Sequence, residues 1–87
     1  MTDPNTFSGL GCNPALAVIL ARQVDAGRCD PNEICGPSFC DYEALEIARQ
    51  INGRKGEAQG LEALGIFPEL AKAIAGAIDT AAEERGA

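Results

Sequence analysis

Histidine is absent from the 87-residue chain, although it is the side chain that most often transfers protons near neutral pH. Its absence also excludes nucleophiles of the Ser–His and Cys–His type. Neighbouring glutamates such as Glu43 and Glu46 are more typical of solvated charges on a helix surface than of a catalytic carboxylate pair. The sequence therefore predicts a protein that is not an enzyme and needs no cofactor.

Basic residues are few, because 7 Lys and Arg stand against 13 Asp and Glu, for a net charge of −6. Nucleic-acid phosphates and anionic membranes repel such a chain on average. Its longest apolar run, residues 15–21, is also far shorter than the roughly 20 residues that cross a bilayer. The first five residues lack the basic region of a secretion signal. We therefore expect protein partners rather than nucleic acid or membrane, and synthesis in the cytoplasm without a signal peptide.

No segment has the alternating pattern of a strand, whereas helix signals recur along the chain. Asn13 is a good N-cap, Pro14 suits the first helical position, and Gly27 suits the C′ position. The segment from Ala15 to Ala21 is apolar on every side of that helix, which predicts burial all round. Signals of this kind predict an all-α fold, with three main helices at about 14–26, 39–52 and 68–83 and short helices near 31–35 and 57–64.

The N-terminal segment has no helical period, since Asp3-Pro4-Asn5 and Gly9-Leu10-Gly11 interrupt it. Residues 1–12 are therefore predicted to form an extended arm, and residues 13–85 a single helical domain. Phe7 and Leu10 would be the arm's isolated apolar anchors for a partner.

Four cysteines lie in the first half of the chain, and one metal cannot hold all of them. The predicted helix at 14–26 is about 20 Å long, which separates Cys12 from Cys29. The chain also lacks the closely spaced Cys-x₂-Cys pair of most structural zinc and iron–sulfur sites. A three-cysteine site from Cys29, Cys35 and Cys40, completed by an aspartate at 30 or 41, is the remaining metal alternative.

Disulfides are the alternative that the spacing favours. The same helix excludes a Cys12–Cys29 bridge, because bridged Cα atoms lie within about 7 Å of each other. The intervening residues limit the distance that the chain can span between two cysteines, and this favours Cys12–Cys40 together with Cys29–Cys35. A disulfide from Cys12 to another chain is a further alternative. Disulfides conflict with a reducing cytosol. A protein that leaves the cell on lysis as part of a particle, such as a virion, could form its disulfides outside the cell.

The last helix carries a stripe of small residues that would let another helix approach closely. This small-residue stripe consists of Ala73, Gly76, Ala77 and Thr80. Packing inside the domain and contact with a partner or a second copy both fit it.

Taken together, these patterns predict a non-catalytic structural or interaction module, stapled by disulfides, as a minor component of a virion or another multi-subunit particle. A small metal-binding accessory subunit, with zinc or an iron–sulfur cluster, is the alternative. A third hypothesis is an inhibitor whose acidic surface binds a basic protein partner.

Overall fold

A computed structural model describes residues 1–36 and 38–86 of the chain. Helices make up 67% of it, and the described ranges contain no strand, which confirms the all-α class. In chain order the helices are α1 (Pro4–Ser8), α2 (Pro14–Ala26), α3 (Pro31–Ile34), α4 (Asp41–Gly53), α5 (Ala58–Glu62) and α6 (Pro68–Glu84).

The three main helices lie where the sequence places them to within one residue at each end, except at the start of α4. Cys40 has an extended backbone and serves as the N-cap, so the helix begins two residues later than predicted. The Cys40 N–H donates to the Glu43 carboxylate at 3.0 Å, half of a capping box. Ser38, two residues before Cys40, accepts a hydrogen bond from the Asn13 N–H at 2.8 Å. Ser38 therefore ties the start of α2 to the segment before α4.

The predicted extended arm is wrong, because residues 4–8 form α1. Asp3 caps this helix by accepting from the Asn5 N–H at 2.9 Å, and Pro4 takes the first helical position. This is the same cap-and-proline signal that starts α2 and α3. Phe7 then reaches the core, where none of its surface is exposed.

The core lies around α6, which contacts α1, α2, α4 and α5. Every fourth residue of α6 faces inward, as the spacing of its isoleucines and leucine predicts. The largest fully buried apolar side chains are Phe7, Phe39, Leu20, Ile34, Ile47, Ile51, Leu61, Ile74 and Ile78.

Burial of α2 on every side is not observed. The helix packs against α1, α3 and α6, which together leave one of its faces open to solvent. Val18 is 39% exposed and Ile19 is 37% exposed on that face. An all-apolar stretch therefore does not require neighbours all round when the chain has too few helices to supply them.

Candidate protein-docking groove

The four cysteines are all free in the part of the chain that the structure describes, and no two of them lie at disulfide distance. Neither predicted bridge, Cys12–Cys40 or Cys29–Cys35, is formed, so the stapled fold is corrected to one held by packing and hydrogen bonds. The thiols have separate surroundings. Cys12 and Cys29 are buried, whereas Cys35 and Cys40 are exposed.

The three-cysteine metal alternative also lacks the necessary geometry. Residues 1–36 and 38–86 contain no group of three or more potential ligands that could hold a metal ion. Burial, with the nearby carboxylates of Glu33 and Asp30, raises the pKa of the Cys29 thiol to about 12. A hydrogen bond to the Asp41 carboxylate, at 2.8 Å, raises the pKa of Cys35.

The small-residue stripe on α6 is divided between the core and the surface. Ala73 and Ala77 are half-buried and pack against the core of this chain. Gly76 and Thr80 are exposed, and a Cβ built on Gly76 would meet no atom within 4 Å. Half of the stripe therefore packs within the chain, as one of the two interpretations expects.

The two predicted N-terminal anchors differ in their placement. Phe7 is completely buried in the core, so it has no surface to offer a partner. Leu10 is half-buried and stands beside two cavities of about 520 and 260 Å³. Of the two, only Leu10 reaches a surface where a partner can bind.

The two cavities adjoin, because Leu10, Phe67 and Leu70 line both of them. We call this surface the Leu10–Phe67 groove. Its lining residues are Gly9, Leu10, Gly11, Ser38, Phe39, Glu43, Gly65, Ile66, Phe67, Pro68, Glu69 and Leu70. The groove thus lies where the α1–α2 turn, the segment before α4 and the α5–α6 turn meet.

Phe67 is the most unusual member of the groove, because 75% of its surface is exposed. It occupies the N-cap of α6, where Ser, Thr, Asp or Asn would supply a capping oxygen, and it makes no side-chain cap. The backbone at Phe67, with the ψ of 139° that suits a residue before proline, leaves Ile66 buried and Phe67 outside. Sequence reasoning missed this residue, although an aromatic at a capping position was a visible signal.

The charges at the groove have one sign. Glu43, in the first turn of α4, and Glu69, in the first turn of α6, line it, and no Lys or Arg is among its described lining residues. Gly65 turns with φ +103°, and a Cβ built there would lie 3.8 Å from the Glu43 carboxylate. The groove therefore combines an apolar floor with an acidic rim.

Comparisons of this chain with protein-family models, curated proteins and solved structures give no match. Among residues 1–36 and 38–86, no helix is both long and apolar enough to cross a membrane.

Proposed function

We propose that the protein is a non-catalytic structural module that joins a multi-subunit particle by docking a protein partner in the Leu10–Phe67 groove. The observation that carries this proposal is the exposed ring of Phe67 beside an apolar groove. Burying such a side chain stabilises a complex by roughly 1.5–3 kcal/mol. Aromatic anchors of this kind concentrate at the centres of protein interfaces.

The same groove supports a structural role rather than a catalytic one. Its ionisable lining groups are the carboxylates of Glu43 and Glu69, with no basic side chain among the lining residues that the structure describes. Apolar contact and charge attraction are what such a surface offers to a ligand. Both favour recognition of another protein.

A matched pair of aromatic variants tests the proposal. Phe67 and Tyr42 are both 75% exposed, but Tyr42 does not line the groove. Phe67→Ser and Tyr42→Ser are produced in the cells that make the protein, and the size of the complex containing each is measured by gel filtration of the extract. The wild-type chain and Tyr42→Ser should elute well above the size of the 9.0 kDa monomer, while Phe67→Ser elutes as a monomer.

Two results of the gel filtration would contradict the proposal. Wild-type protein that elutes as a monomer would contradict assembly into a particle. Phe67→Ser that stays in the large complex would show that the groove is not the docking face. Leu10→Ser serves as a second groove variant, because Leu10 lines both cavities without being fully buried.

A further inference from the structure

Basic residues gather beyond the end of α4. The Asn52 side chain pairs with the backbone of Cys29: it accepts from the N–H at 2.9 Å and donates to the carbonyl at 3.0 Å. This pairing holds Arg28 beside the turn that carries Arg54 and Lys55. All three bases are exposed, and no ion pair in the described part of the chain includes them. We call these three residues the basic end.

The backbone conformation of Arg54 is unfavourable for a residue with a side chain. Arg54 is the C-cap of α4 with φ +58°, a left-handed conformation that glycine adopts far more readily than arginine. Gly53, immediately before it, remains helical instead. Attraction of a cation to the C-terminal end of the helix offsets part of this cost, but it requires no particular side chain at this residue. The chain thus presents a long cationic side chain where a small residue would suffice for the turn.

The basic end and the groove lie at opposite ends of α4. Glu43 is in the first turn of the helix and Gly53 is its last residue, a separation of about 15 Å at 1.5 Å per residue. An otherwise acidic chain therefore has an acidic apolar groove at one end of α4 and a cluster of unpaired bases at the other. The two surfaces have opposite charge and cannot meet within one molecule.

We propose that the Leu10–Phe67 groove binds the basic end of a second copy of this chain. This inference rests on the proposed function, because it names the occupant of the same groove. Arginine and lysine side chains have apolar stems that cover Leu10 and Pro68, which line the groove with surface exposed. A guanidinium stacks on the face of Phe67, while the ammonium and guanidinium groups reach Glu43 and Glu69.

The proposed contact uses two different surfaces, so it is heterologous rather than two-fold symmetric. A copy bound in one groove still has its own groove free. Association then builds open rows of copies instead of closed dimers unless rotation closes a ring. This form of growth gives the contact a distinctive test.

Two double variants of the full chain, each lacking charges of one surface, test the groove and the basic end separately. Glu43→Gln with Glu69→Gln removes the charge of the groove, and the amide oxygen introduced at position 43 keeps the acceptor that the capping box requires. Arg54→Gln with Lys55→Gln removes two of the three positive charges of the basic end and leaves the groove intact. Glu83→Gln is the control, because Glu83 is exposed and does not line the groove. Far-ultraviolet circular dichroism verifies the fold of each, and single variants replace a double variant that fails to fold.

Sedimentation velocity of the purified proteins, at concentrations up to about 1 mM, gives the answer. The wild-type chain and Glu83→Gln should form a series of oligomers that lengthens with concentration. Each double variant alone should sediment as a monomer. An equimolar mixture of the two should form dimers and nothing larger, because it retains one competent groove and one competent basic end for each pair.

Three results would overturn the inference: a monomeric wild-type chain, double variants that associate like the wild type, or a mixture that stays monomeric. If any one of these results is obtained while Phe67→Ser is still released from the large complex, another protein occupies the groove and the proposed function stands. If Phe67→Ser also stays in the complex, both proposals fail.

Discussion

The buried side chain of Gln50 pairs with both backbone groups of Glu57, seven residues further along the chain. Its Oε1 accepts from the Glu57 N–H at 2.8 Å, and its Nε2 donates to the Glu57 carbonyl at 3.0 Å. Gln50 is 1% exposed, so its amide is shielded from water. A single amide thus fixes the turn between α4 and α5.

Replacing Gln50 should therefore destabilise the fold. Gln50→Met keeps the length of the side chain but leaves both Glu57 groups without their partner, at a cost of about 2 kcal/mol. Urea unfolding measures the loss, with Gln59→Met, on the exposed face of α5, as the control. An unfolding free energy within about 0.5 kcal/mol of wild type would show that the two bonds do not hold this turn.

Two glycines should respond oppositely to alanine. A Cβ on Gly56 would lie 2.6 Å from the Cα of Ala75, so Gly56→Ala should cost about 1–3 kcal/mol or more. Gly76 lies inside α6 with open space around its Cβ position, so Gly76→Ala should stabilise the fold by about 0.5–1 kcal/mol. Thermal unfolding of the two variants measures both changes in stability.

A Gly76→Ala variant that disrupts assembly would assign the partner contact to the small-residue stripe instead of the groove.

Stability should fall in acid partly through Glu46. The hydrogen bond from Arg49, with Nε at 3.0 Å from the carboxylate, lowers the pKa of Glu46 below its ordinary value. A lowered pKa in the folded state gives stability above the unfolded pKa of about 4.5 that is lost as the pH falls through the folded pKa. Because the Arg49 side chain is 60% exposed, the contribution is at most about 0.5 kcal/mol.

The measurement for Glu46 is unfolding free energy between about pH 6 and pH 3. Glu46→Gln should flatten that part of the curve, whereas Glu83→Gln should leave its slope unchanged. Equal slopes for wild type and Glu46→Gln would mean that the ion pair with Arg49 adds nothing to stability.

The cysteines should react in two classes. Exposed Cys35 and Cys40 should be alkylated in the folded protein, while buried Cys12 and Cys29 should react only on unfolding. Asp41→Asn should speed alkylation of Cys35 near pH 8, since the Asp41 carboxylate raises the pKa of that thiol. Mass spectrometry of the purified protein counts the thiols. A chain about 4 Da lighter than its reduced mass would instead restore the two disulfides.

The thiol of Cys29 should also make the stability of the fold depend on pH in the alkaline range. Its pKa of about 12 in the folded chain lies above the ordinary value of 9.0, so folding favours the protonated thiol. The stability from this group is complete below pH 9.0 and is lost as the pH rises toward 12. Cys29→Ser should reduce the fall in stability over that range, as urea unfolding at several pH values would show.

The helices could be predicted from local signals because their caps are local. Asn13-Pro14 and Gly27 set the ends of α2 as predicted, and Pro68 begins α6. Asp3-Pro4 is the same kind of signal. The glycines at 9 and 11 interrupt the helical period after it, so the pattern as a whole predicts an arm where α1 forms.

Placement in three dimensions could not be predicted in the same way. The length of chain between Cys29 and Cys35 allows a bridge, but the Asn52 side chain binds the Cys29 backbone while the Asp41 carboxylate accepts a hydrogen bond from the Cys35 thiol. These contacts join residues that are distant in the sequence or depend on side-chain direction. The groove itself was not predicted: among its lining residues the sequence indicates only Leu10 as a partner contact, and Phe67 at a capping position was the further signal.

The most direct test of the groove is photo-crosslinking in the assembled particle. A photo-reactive benzoylphenylalanine replaces Phe67 in one sample and Tyr42 in another, and the crosslinked peptides are sequenced by mass spectrometry. The account predicts efficient crosslinking from residue 67, to residues near 28 or 54–55 of a second copy, and little from residue 42. Crosslinks from residue 42 with none from residue 67 would contradict it.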